Sequence, residues 1–176
     1  MNILENKKSN ATVEGSRRLL SKTLPTVGIN HFDINLDKFK AKHLIELKEY
    51  GGQLAPLWTT YLRQHKSRNI LYLVDCADLT KLPEASVHLV EVLEQINNCP
   101  ARLLIVYTKI DLLTPDGSDF VGDCAPFDNR RLSEYRQLLR IHHLKTFCTA
   151  VDICEVAFSA VNGQGLPIIS HWLQSL

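Results

Sequence analysis

The sequence predicts an α/β open sheet with helices on both faces, and three observations predict it. Two uninterrupted apolar runs, Ile70–Val74 (ILYLV) and Leu103–Tyr107 (LLIVY), are bounded by polar residues, the pattern of strands buried on both faces of a parallel sheet. Stretches with helical apolar spacing separate these runs from each other and from a weaker one at Ile153–Phe158 (ICEVAF), which Glu155 interrupts. Polar clusters fall where the runs end, the side on which open α/β sheets bind ligands.

Along the chain, Lys7, Lys8, Arg17, Arg18 and Lys22 outnumber Glu5 and Glu14, so residues 1–24 are expected to be a flexible basic arm ahead of a domain over 25–176. Ile29–Leu36 alternates, with Phe32, Ile34 and Leu36 on one side and His31, Asp33 and Asn35 on the other. Lys42–Leu47 reads as the second arm of a hairpin. Leu57, Trp58, Tyr61 and Leu62 mark a helix after Gly51-Gly52. Pro83 suits the first turn of a helix on which Val87, Val90, Leu93 and Ile96 recur near helical spacing. Thr114–Asp128, with two prolines and two glycines, reads as an inserted surface loop. Asn129–Phe147 reads as helical, with Arg130, Arg131, Arg136 and Arg140 forming a solvated face. Leu166–Leu176 closes the chain as a short helix offering Ile168, Ile169, Trp172 and Leu173 for burial.

Bulk properties exclude several classes. At 176 residues the chain is one domain's worth. A net charge of +1 gives no electrostatic case for nucleic acid or an anionic membrane surface. The cysteines at 76, 99, 124, 148 and 154 are scattered, without a C-x-x-C pair, which points to free thiols in a reducing compartment. His142 and His143 are adjacent and on a helix would diverge, a poor ligand pair. No secretory segment and no apolar run of membrane length is present, so a cytoplasmic location without a stable membrane anchor is expected.

Three strand-end clusters carry chemistry. Glu49–Gln53 follows the second hairpin strand, Thr108–Asp111 (TKID) follows LLIVY, and Ser159–Val161 (SAV) follows the last strand. A carboxylate such as Asp111 can accept parallel bonds from N1–H and the exocyclic N2–H of guanine, a pair that adenine does not offer. The apolar stem of Lys109 can lie along a purine face. A backbone N–H in the Ser159-Ala160 turn can meet the guanine oxygen. At Gly52 an N–H unshielded by a side chain can approach a phosphate oxygen, and Gln53 can orient a water for in-line attack. Each cluster also has a plainer reading: TKID as a turn capping the next element, Gly51-Gly52 as a tight turn entering a helix.

Taken together, Pro25-Thr26-Val27-Gly28, Glu49–Gln53 with Pro56-Leu57-Trp58 and Tyr61, TKID, and Ser159-Ala160 followed by Gly163–Leu166 resemble the ADP-ribosylation-factor-like small GTPase family, over about Leu24 to Leu176. The resemblance implies a Ras-like fold and a GTP/GDP switch with Mg²⁺. It implies that Thr26 ligates Mg²⁺ and senses the γ-phosphate, that Gly52 meets that phosphate, and that Gln53 is the catalytic, water-orienting residue. Thr108, Lys109, Asp111, Ser159 and Ala160 would form the guanine site. Effector or regulatory proteins would dock on the loops around Thr26 and Gly51–Tyr61.

The chain departs from the family pattern at three places. Thr108 replaces the usual Asn. Glu49 replaces the Asp that holds the Mg²⁺ shell through water, which shifts the carboxylate by a bond where the ion tolerates little. The phosphate-cradling G-x-x-x-x-G-K-S/T motif and its preceding strand are missing; Ser21-Lys22-Thr23 lacks the glycine and lies too close to Thr26. In the Ras-like sheet that strand is central, so its loss is expected to leave a gap with unpaired neighbours. Two expectations follow: a truncated or spliced form of a complete GTPase with weakened nucleotide binding, or a nucleotide-independent pseudo-GTPase serving as an interaction module.

Overall fold

The computed structural model describes residues 25–35, 44–64, 68–113 and 130–176. The basic arm (1–24) and the inserted loop (114–128) lie outside the described residues.

Strands β1 (Ile29–Asn35) and β2 (Leu44–Tyr50) form the antiparallel hairpin the alternation predicts, in a register that pairs Asn30 with Glu49 and Phe32 with Leu47. Glu49 and Tyr50 therefore belong to the strand and not to the turn after it. A single 3₁₀ turn, Gly52–Leu54, leads into α1 (Ala55–Gln64).

The apolar runs become β3 (Asn69–Asp75), β4 (Ala101–Thr108) and β5 (Val151–Ala157), a parallel sheet in the order β3-β4-β5. Helices α2 (Leu82–Ile96), α3 (Arg130–Leu138), α4 (Ile141–Phe147) and α5 (Leu166–Gln174) complete the elements. One face of the sheet, through Tyr72, Val74, Leu103, Ile105, Tyr107 and Ile153, packs against Leu89, Leu93 and Ile96 of α2, Leu132 and Tyr135 of α3, and Leu144 of α4. The other face, through Leu104, Val106 and Val156, packs against Trp172 of α5. Fully burying each such Leu, Ile or Val contributes about 2 kcal/mol. This is the mixed α/β, Ras-like architecture, with helices on both faces.

Among the described residues, no ladder joins β2 to β3, and the strands form a two-stranded and a three-stranded sheet. On the α5 side, Leu73 of β3 is 65% exposed.

Three local readings need correcting. On α2 the buried residues are Leu82, Leu89, Val92, Leu93 and Ile96, whereas Val87 and Val90 are exposed. The spacing fits either stripe, and packing against the sheet selects the one with the larger leucines. The helical stretch after residue 129 is two helices, because Arg140 takes a left-handed φ of 53° between them. Arg136 is more than a solvated charge: its Nε and Nη2 donate to Glu155 at 2.9 and 3.2 Å. Glu155, the residue that weakens the apolar pattern of β5, also accepts from Lys145 Nζ at 2.7 Å and Tyr107 Oη at 3.0 Å. Burial pushes its carboxyl up, but the bonds and charges of Lys145 and Arg136 outweigh that and hold it below the ordinary value.

Candidate functional site

The predicted site residues fall into two groups. The first forms where β1 begins and β2 ends. Thr26 Oγ1 donates to Glu49 Oε1 at 2.7 Å, and Asn30 Nδ2 donates to Glu49 Oε2 at 3.1 Å. Gly51 N–H donates to the Gly28 carbonyl at 3.0 Å, and Trp58 Nε1 donates to the Gly51 carbonyl at 3.3 Å. The reason for a glycine at 51 is steric: a Cβ there would overlap the Thr26 carbonyl oxygen. Gly52 is different, since a Cβ on it would meet nothing within 4 Å. Gly52 and Gln53 are both exposed at the entry to α1.

The second group lies at the carboxyl ends of β3, β4 and β5. Thr108, the last residue of β4, donates through Oγ1 to the Val74 carbonyl of β3 at 3.1 Å. Lys109 follows in the left-handed region at φ 59°, unusual for a residue with a Cβ, and turns the chain into a 3₁₀ turn over Ile110–Leu112. Asp111 is half-buried in that turn. Ile110 N–H reaches the Phe158 carbonyl at 3.4 Å, which ties TKID to the turn after β5. Ser159 is fully buried, and its Oγ accepts from the N–H groups of Val161 (3.2 Å) and Asn162 (3.5 Å), so it shapes the turn from inside while Ala160 is exposed. Gly165, at φ 80°, closes the same turn, because a Cβ on it would overlap the Ala157 carbonyl oxygen.

One contributor escaped the sequence reading. Asp75, the last residue of β3, accepts from Lys109 Nζ at 2.6 Å, and its Oδ1 accepts the Ala77 N–H at 2.9 Å. The available signal was its position, a carboxylate ending a buried strand in the same layer as TKID. This ion pair ties the Lys109 ammonium to the end of β3.

As for Mg²⁺, Thr26 and Glu49 present one hydroxyl and one carboxylate side by side. Among the described residues no group of three or more His, Cys, Asp or Glu side chains could hold a metal. A pair of this kind fits Mg²⁺ only in the sparse manner in which that ion is held by one or two protein oxygens with water and phosphate. Each oxygen of Glu49 already accepts one hydrogen bond, from Thr26 or Asn30, and keeps a further lone pair for an ion or its water.

With this geometry in place, comparison with known proteins is decisive at the family level. The model of the ADP-ribosylation factor family matches residues 13–176. The chain belongs to the ADP-ribosylation factor family. Among curated relatives, it is 29% identical to human ADP-ribosylation factor-like protein 16 over 153 residues, 87% of this chain and 66% of that protein. It is 37% identical to human ADP-ribosylation factor-like protein 4C over 93 residues, covering 51% of this chain and 47% of the relative. The ADP-ribosylation factor of Encephalitozoon cuniculi is 31% identical over 93 residues, 52% of this chain and 42% of the relative. The chain thus spans just under two thirds of the first of these relatives and less than half of the others. No helix among the described residues is long and apolar enough to cross a membrane.

Proposed function

We propose that this Arf-family chain is a guanine-nucleotide switch whose base site is built and whose phosphate site is weak. The observation that carries the reading is the joining of TKID to the Ser159-Ala160 turn through the Ile110–Phe158 bond, beneath the left-handed Lys109. In this arrangement Asp111 accepts the two guanine N–H groups, the Lys109 stem covers one face of the purine, and Ala160 offers its backbone N–H to the guanine oxygen. Gly52 supplies the phosphate-side N–H, and Gln53 orients water. Thr26 and Glu49 would hold Mg²⁺, which supplies charge neutralisation at the phosphates when bound. Exchange of GDP for GTP then acts on the loops around Thr26 and Gly51–Tyr61, the surface that effectors and regulators would read. The sequence has no phosphate-cradling lysine loop, so affinity is reduced and hydrolysis is slow without an activating partner.

A second reading, a pseudo-GTPase that binds proteins without nucleotide, is favoured by one specific observation. Thr26 and Asn30 each already bond one oxygen of Glu49, so this end of the site is bonded to itself.

Titration of the purified chain with fluorescent GDP and GTP, with ATP as competitor and a circular-dichroism melt as the folding control, separates the two. Guanine-selective binding supports the switch. A folded chain that binds neither nucleotide refutes it and leaves the interaction module.

A further inference from the structure

Two polar side chains of TKID are bonded to the neighbouring strand. Thr108 Oγ1 lies 3.1 Å from the carbonyl oxygen of Val74 in β3. A carbonyl only accepts, so the single proton of the hydroxyl must point at Val74. What remains on Oγ1 is lone pairs, which can accept a bond and cannot give one. Lys109 sends its ammonium to the same strand, 2.6 Å from Asp75 Oδ2. Asp75 is itself held, since its Oδ1 accepts the Ala77 N–H at 2.9 Å. The main chain adds a third tie, from the Cys76 N–H to the Thr108 carbonyl at 3.1 Å, and the buried Tyr135 hydroxyl of α3 donates to the Cys76 carbonyl at 2.6 Å. The Val74–Cys76 stretch thus braces the start of TKID through a hydroxyl, an ion pair and a backbone bond.

Guanine presents edge groups of two kinds. N1–H, the exocyclic N2–H and O6 distinguish it from adenine, whereas N7 is an acceptor common to both purines. A site that engages N7 needs a donor there. Thr108 could supply one only by leaving Val74. The ammonium of Lys109 stays where the carboxylate holds it, because a neutral ring nitrogen is the weaker partner.

We infer that the base site reads the N1, N2 and O6 edge of guanine and leaves N7 unread, so that its ligands include guanine nucleotides altered at that atom. Thr108 is then a positioning residue, which shapes the turn and does not touch the base. This rests on the guanine-switch reading and adds to it. Asp111 and the Ala160 N–H carry the hydrogen bonds that select guanine, and the Lys109 stem supplies a face that any purine ring can use. No selectivity against adenine is lost, since N7 does not separate the two bases. The Thr108 hydroxyl instead fixes where Lys109 and Asp111 stand relative to the end of β3.

Titrations of the 176-residue chain with GDP, inosine diphosphate and 7-deaza-GDP, in which a C–H replaces N7, test this, with a circular-dichroism melt of each protein. The wild type is expected to bind GDP and 7-deaza-GDP within about twofold of each other, because no hydrogen bond is lost between them. Inosine diphosphate, which lacks the exocyclic N2 group, is expected to bind about tenfold weaker or worse, the effect of losing a bond to a charged acceptor. Thr108→Val keeps the β-branched shape without the hydroxyl. It is expected to lower the melting temperature by about 2–4 °C and to weaken GDP and 7-deaza-GDP alike, with Thr108→Ser recovering both. A wild type that binds 7-deaza-GDP about tenfold more weakly than GDP overturns the proposal. So does a Thr108→Val protein that loses affinity for GDP and keeps it for 7-deaza-GDP, since the hydroxyl is then the N7 donor. Failure of the underlying reading looks different: a folded wild type that binds none of the three, or binds inosine diphosphate as tightly as GDP, overturns guanine recognition and this proposal with it.

Discussion

Removing the Glu155 carboxylate tests the packing logic behind the base site. Glu155 is 5% exposed at its side chain and gathers Arg136 of α3, Lys145 of α4 and Tyr107 of β4 onto β5. Glu155→Ala leaves the buried Tyr107 hydroxyl without this acceptor and two cations without their counter-charge. Breaking a buried pair costs about 3–5 kcal/mol, and the lower end applies because Arg136 and Lys145 are 42% and 39% exposed and recover water. A loss of about 3 kcal/mol in a domain of this size lowers Tm by roughly 6–12 °C. Glu155→Gln keeps the volume and loses the charge, so its cost is smaller, about 2 kcal/mol. The pH dependence follows from the lowered carboxyl. Its stabilisation is fully present above the ordinary carboxylate value and fades as pH falls through the lower, folded-state value. The gap between wild type and Glu155→Gln should therefore narrow in acid. Circular-dichroism melts at neutral and acid pH measure this. A Glu155→Ala protein within about 0.5 kcal/mol of wild type at neutral pH would refute the account.

Other substitutions probe the site directly. Gly51→Ala forces a methyl group against the Thr26 carbonyl and should destabilise by about 1–3 kcal/mol, whereas Gly52→Ala, with open space at its Cβ, should leave the melt nearly unchanged. Equal melts for the two would contradict the steric role of Gly51. In a nucleotide titration, Asp111→Asn should weaken GTP and GDP binding and shift preference toward xanthine nucleotides; unchanged guanine selectivity would remove Asp111 from the base site. The buried Cys76 thiol is pushed up to about 12 by burial and by the neighbouring Asp75. It should resist thiol reagents at neutral pH until the chain unfolds, and mass-spectrometric mapping of the labelled residues would show this.

The elements that could be read from sequence are those whose signal is local. LLIVY is apolar on both faces because both are covered, and ILYLV lies beside it in the parallel sheet although its Leu73 is left exposed. TKID and SAV could be placed because each lies at the carboxyl end of a strand. What escaped depends on partners distant in sequence. Glu155 looked like a flaw in a strand because its partners lie 10, 19 and 48 residues away, in other elements. The break at Arg140 carries no glycine or proline to mark it. Val87 and Val90 are as apolar as the residues that do reach the core, and only the orientation of α2 on the sheet separates them. Gly51 and Gly52 look alike as letters; the Thr26 carbonyl makes one obligatory and leaves the other open.

The bond from Trp58 to the Gly51 carbonyl has an optical consequence. The chain contains only two tryptophans. Trp172 is sealed under the guanidinium of Arg102, whose Cζ lies 5.2 Å from the ring centroid. Trp58 instead stands edge-on to Tyr72 and His88, with its indole N–H tethered to the turn that a phosphate would approach. When that turn shifts, the tether lengthens or breaks, and the dipole environment of one indole changes while the other's does not. Emission colour and quantum yield thus report the shape of the Gly51–Gln53 turn without any attached dye, with Trp172 as an internal reference in the same spectrum.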